Sequence, residues 1–169
     1  MKRKISEVVA IIREVDMARG TDLSCLEVKH NGRLTRALGR CNYNRFTSEA
    51  TSLEFSTITM NMEYEPFRQV VLHEVAHAIQ MTEQGETGHG KNFKQICKEI
   101  GCTIDGTKTA YGVEEATQVS AKYVVTCNAC GNRSYFQRRS KAINVLTGHI
   151  KGKCTCGRCG SQDLNLECR

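Results

Sequence analysis

Residues 70–80 read VVLHEVAHAIQ, with His73 and His77 four apart and Glu74 directly after the first histidine. On a helix, positions four apart project from one face, so both imidazoles can reach a single ion. Two such nitrogens, a third donor and an open position would hold Zn²⁺ for hydrolysis, the metal acidifying a water and polarising a carbonyl. Glu74 stands where a general base is needed, able to take the water's proton and pass it to a leaving amine. The bland alternative is a helix that carries two histidines and an acid by chance. Against it, the residues around the motif are strongly apolar, and two imidazoles and a carboxylate on a buried helix need partners, which a metal provides.

A third ligand decides the class of site. The metzincin pattern needs Gly at 80 and His at 83, where this chain has Gln80 and Glu83. Glu83 lies six residues past His77, about 240° further round a 3.6-residue helix, and so faces away. Glu86 can serve if the chain turns early. His89 is the better candidate, because Gly85 and Gly88 permit a turn back over the helix and Gly90 a close approach before the next one. Tyr111, in a loop, is a candidate hydrogen-bond donor to the transition state.

A second group of residues has metal-ligand spacing. Cys127-Asn-Ala-Cys130 and Cys156-Gly-Arg-Cys159 are two Cys-x-x-Cys turns separated by 25 residues. Four thiolates in two knuckles make a closed, tetrahedral structural zinc site. Cys154 and His149 are substitute ligands, but the glycines of CGRCG suit a knuckle at Cys156. Unligated thiols or a disulfide are the bland reading. The other five cysteines, Cys25, Cys41, Cys97, Cys102 and Cys168, are scattered, several among apolar neighbours. Between and around the knuckles lie Arg133, Arg138, Arg139, Lys141, Lys151 and Lys153, with Tyr135 and Phe136 among them. Residues 121–169 hold nine Lys/Arg against two Asp/Glu, a net +7, whereas residues 1–120 carry −1. Cations neutralise phosphates and aromatic faces stack on unpaired bases, so this segment suits DNA, bound without sequence preference and weakened by salt. The bland reading is a solvated basic face.

The segments FRQVVLHEVAHAI and GHGKNFKQIC together resemble the SprT-like/Spartan family of zinc metalloproteases, which pairs His-Glu-x-x-His with a third histidine in a His-Gly-x-x-Phe type segment. Upstream, RALGRCNY is similar to that family's R-x-x-G-x-C element, and a zinc ribbon is a feature of its bacterial members. The resemblance runs from about residue 5 to the end. It implies that His73, His77 and His89 bind a catalytic zinc and that Glu74 is the base. It also implies a protease acting at DNA, on protein substrates that include proteins crosslinked to it.

The elements that must position these residues follow from periodicity. Ile5, Val8, Val9, Ile12 and Val15 predict a helix over 4–19, closed by Gly20. Short strand-like runs follow, with Asn31-Gly32 read as a hairpin turn between the first two and a bulge or strand end between Phe55 and Ile58. Pro66 suits the first turn of the motif helix, which runs to about Thr82 and stops at Gly85. Another helix starts near Lys91 and stops at Gly101, and residues 103–120 read as a loop. The expected fold is α+β: a small antiparallel sheet, an N-terminal helix, the motif helix and a following helix in residues 1–120, then a basic β zinc ribbon in 121–169. No apolar run approaches the roughly 20 residues of a membrane span. Acids at Glu7, Glu14 and Asp16 break the basic, apolar start, so no secretory signal is expected. The paired cysteines then favour a reducing compartment, cytoplasmic or nucleoid-associated, with no membrane partner. The competing class is a non-enzymatic nucleic-acid-binding protein with two structural zincs, needing a fourth ligand such as Cys97 or Glu86 at the histidines. A metal-dependent hydrolase of non-peptide substrates is a third.

Overall fold

The computed structural model describes residues 1–104 and 112–169, which fall into two compact units, Met1–Ala116 and Thr117–Arg169. Helix α1 (Ile5–Arg19) buries Val8, Ile11, Ile12 and Val15, the three-and-four spacing read from sequence. Glu7 accepts the Lys4 backbone N–H at 2.6 Å to open it, and Gly20, at φ 72°, closes it in the left-handed region.

The first sheet contains β1 (Glu27–His30), β2 (Gly39–Asn44) and β3 (Glu49–Phe55) in the order β1-β3-β2. It is mixed rather than wholly antiparallel: β2 runs antiparallel to β3, but β1 runs parallel to it. The Asn31-Gly32 turn exists, with Leu34 N–H bonding the Asn31 carbonyl at 3.1 Å and Arg33 N–H the Asn31 side chain at 2.9 Å. It does not pair β1 with β2, because the central strand β3 takes a side of each. β3 ends at Phe55, as its change of apolar phase implies, and the bulge lies instead where the register shifts beside Asn42 and Tyr43.

Helix α2 (Tyr64–Gln84) is the centre of the first core. Pro66 lies in its first turn and Gly85 caps it at φ 66°. Phe67, Val71, Leu72, Val75, Ala76 and Ala78 are fully buried, so the helix is covered nearly all round. Helix α3 (Lys91–Glu99) adds Phe93, Ile96 and Cys97. Arg19 at the end of α1 salt-bridges Glu83 on α2 and Glu99 on α3, tying the three helices together. Within residues 103–120, read as loop, a helix α4 (Val113–Ser120) is present instead.

The second unit is built on β4 (Tyr123–Cys127), β5 (Arg133–Phe136) and β6 (Leu164–Cys168), antiparallel in the order β5-β4-β6. A short helix α5 (Lys141–Leu146), capped by the Ser140 side chain, occupies part of the 25-residue separation that a longer hairpin was expected to fill. Its Ile143 is fully buried, as Val124 is nearly, giving the unit a small apolar core. Among the described residues, no helix is long and apolar enough to cross a membrane.

Candidate active site and cysteine centre

The apolar face of α2 fixes the motif in the core and turns His73 and His77 towards one rim. Gly88, at φ 89°, bends the chain after α2 so that His89 comes back over them. The Nε2 atoms of His77 and His89 are 3.1 Å apart, and those of His89 and His73 3.2 Å. Tetrahedral zinc with Zn–N bonds near 2.05 Å sets its nitrogens about 3.3 Å apart, so the trio has the spacing of three corners of that tetrahedron. Phe93 of α3 packs against all three rings, with centroid distances of 5.1, 4.4 and 4.8 Å to His73, His77 and His89.

Protonation suits a metal as well. His73 Nδ1 lies 2.6 Å from the Ile104 carbonyl, which can only accept, so Nδ1 carries a proton and Nε2 is the nitrogen left to offer a metal. The residue before it is held by α2: Gln69 Oε1 accepts the Thr103 backbone N–H at 2.7 Å and its hydroxyl at 3.1 Å. Burial lowers the pKa of His77 to about 4, with His73 and His89 adding to the effect, so the ring is neutral at ordinary pH. Among the described residues, the group of ligand atoms lying within 4.8 Å of one another here is the three histidines alone. Cys97 is not among them, and Glu86 accepts from Asn92 at 3.0 Å. Glu83 faces α1, as its helical angle implies.

Glu74 is 7% exposed, beneath the sheet. Burial pushes its pKa up to about 7 in the metal-free chain, while the charge of His73 and the Cys41 backbone N–H, which donates to the carboxylate, pull the other way. Gly39 passes so close that a Cβ there would lie 2.6 Å from the Glu74 Cγ and 2.7 Å from its Oε1. Gly39 and Cys41 belong to the RALGRC segment, to which sequence alone gave a resemblance but no role. The carbonyl of Ile104 has no sequence signal at all, being backbone. Above these groups opens a cleft of about 300 Å³, lined by His73, Glu74, His77 and His89, by Gly39, Cys41 and Tyr43 of β2, and by Met81 and the 86–88 turn. Tyr111 lies outside the described residues.

In the second unit the two knuckles are built alike. Gly131 N–H bonds the Cys127 carbonyl at 2.8 Å and Gly160 N–H the Cys156 carbonyl at 2.9 Å, both glycines at positive φ. The sulfurs of Cys127 and Cys159 are 3.6 Å apart and those of Cys130 and Cys156 3.7 Å, close to the roughly 3.8 Å edge of a zinc–sulfur tetrahedron. All four ligand atoms lie within 4.8 Å of one another. Backbone N–H groups of Cys159 and Arg158 pull the Cys156 thiol down to about 6, favouring the thiolate a metal needs. The structure brings in Cys156 rather than Cys154, which lies outside the group, and engages His149 with Arg139 and Thr147 at 3.0 and 2.9 Å. Arg133, Arg138, Arg139, Lys141, Lys151 and Lys153 are all exposed.

No curated protein matches the chain. Among solved structures, the crystal structure of the metallopeptidase zymogen of Pyrococcus abyssi abylysin is similar at 14% identity and a TM-score of 0.41, covering 65% of this chain and 88% of that one. Residues 12–117 match the SprT-like family. That match takes in both histidine segments and the RALGRC strand, bears out the metalloprotease resemblance carried by those motifs, and spans more than half of the sequence: the chain belongs to the SprT-like family.

Proposed function

We propose that this chain is a zinc endopeptidase that cuts proteins at DNA, with the catalytic ion held by His73, His77 and His89 and a second, structural ion by Cys127, Cys130, Cys156 and Cys159. The observation that carries the reading is the convergence of three imidazole Nε2 atoms, with no fourth donor in the group among the described residues, on a cleft whose floor holds the buried Glu74. Bound there, zinc would polarise the scissile carbonyl and acidify the attacking water. The chain's own residues do the rest. Glu74, poised near neutrality and oriented by the Cys41 N–H, accepts a proton from water. It returns that proton to the amide nitrogen as the C–N bond breaks, so one water is consumed and a carboxyl and an amine are released. β2 and the 86–88 turn line the two sides of the cleft.

DNA enters the proposal through charge. Residues 117–169 carry nine Lys/Arg against two Asp/Glu, a net +7. The six cations named above would bind phosphates through ion pairing, and Tyr135 and Phe136 are half-buried on β5, beside them in sequence. The test is incubation of the zinc-loaded full chain and its Glu74→Gln variant with an unfolded protein, with and without single-stranded DNA. Wild type should release peptides and the variant should fall by about 10²-fold or more at equal zinc content. Equal cleavage by the variant would show that Glu74 is not the base.

A further inference from the structure

Among the described residues, one buried polar atom near the site has no hydrogen-bond partner. Gln80 is 1% exposed, and its Oε1 makes no hydrogen bond of normal geometry. A buried amide oxygen left without a donor is costly, and such an atom in a folded core needs a reason. Gln80 lies three residues past His77 on α2, so the two side chains share a face. The Gln80 side chain lies within interaction range of the His77 ring.

The His77 ring has two nitrogens, and Nε2 is directed at the trio, 3.1 Å from His89 Nε2. An imidazole that gives Nε2 to a metal carries its proton on Nδ1 and needs an acceptor there. His73 has such an acceptor in the Ile104 carbonyl. We infer that Gln80 is the corresponding positioning residue for His77, its orphaned Oε1 accepting the Nδ1–H and so holding the ring in the tautomer and orientation that bind metal. This rests on the reading of the three histidines as a metal site. Sequence gave Gln80 no such role: it entered only as the residue that breaks the metzincin pattern.

The test is metal affinity of the full chain, measured by Co²⁺ titration after removal of bound metal. Cobalt on the cysteines shows thiolate-to-metal charge transfer, and cobalt on imidazoles does not, so the two sites are followed separately. Gln80→Met keeps length and removes the acceptor; Gln80→Glu keeps an acceptor. The expected result is a 10–100-fold loss of affinity at the imidazole site in Gln80→Met, with the cysteine site and the metal-free Tm unchanged, and near wild-type affinity in Gln80→Glu. If Gln80→Met also lowers the Tm, Gln80→Glu decides: wild-type affinity supports the role, and a matching loss overturns it. Wild-type affinity in Gln80→Met, with His77→Ala abolishing the imidazole site, overturns the inference alone. Wild-type affinity in His77→Ala overturns the metal reading beneath it.

Discussion

At the scale of single residues, the site depends on how closely the strand β2 approaches one carboxylate. A methyl group at position 39 would occupy space the Glu74 side chain already fills. Gly39→Ala should therefore displace the base: cleavage falls at least tenfold while zinc content, measured by elemental analysis, stays at wild type. Burial of Glu74 also has a signature in the metal-free protein. Its folded pKa, about 7, lies above the unfolded value near 4.5. The carboxyl is protonated in both states below about 4.5, so it costs nothing there. The cost of ionising it in the core grows as pH rises from 4.5 to 7 and is complete above. Glu74→Gln should thus raise the metal-free Tm at pH 8, and the gain should fade by pH 5. A gain independent of pH would show that the carboxylate is not ionised under strain.

At the scale of elements, α2 carries two of the proposed ligands, α3 packs against the three rings and the 101–104 segment bonds one of them. Phe93, fully buried against all three imidazoles, is the shared support. Phe93→Ala should cost about 3–5 kcal/mol in chemical denaturation of the zinc-free chain and also weaken zinc binding. Stability unchanged within 1 kcal/mol would mean that the helix does not brace the site. The helices themselves were legible in the sequence, because long apolar stripes ending in glycines at 20, 85 and 101 leave little choice of boundary. The sheet was less so. Asn31-Gly32 carries a real local turn, but which strands pair is decided by the core: β3, with Leu53 and Phe55 fully buried, takes the centre and draws β1 in parallel across some twenty residues. Helices α4 and α5 are eight and six residues long, too short for a 3.6-residue period to stand out. Of the site, side chains with distinctive chemistry were readable. The Ile104 carbonyl, the Cys41 N–H and the close pass of Gly39 were not, because each is a backbone group placed by the fold.

At the scale of the whole molecule, charge divides the chain as the fold does: −1 over residues 1–116 and +7 over 117–169. If the second unit binds DNA by phosphate neutralisation, Arg138→Glu and Lys141→Glu should weaken binding to all sequences alike and lower the salt slope by roughly one per charge removed. Affinity unchanged in fluorescence anisotropy would remove that surface from the DNA contact. The central claim is the metal geometry, and diffraction from the zinc-loaded full chain at the zinc absorption edge tests it most directly. Two anomalous peaks are predicted: one among the four cysteine sulfurs, and one about 2.0–2.1 Å from Nε2 of His73, His77 and His89 with no fourth protein ligand. A peak at the histidines completed by Cys97, Glu86 or any other side chain, or no peak there at all, would contradict the account.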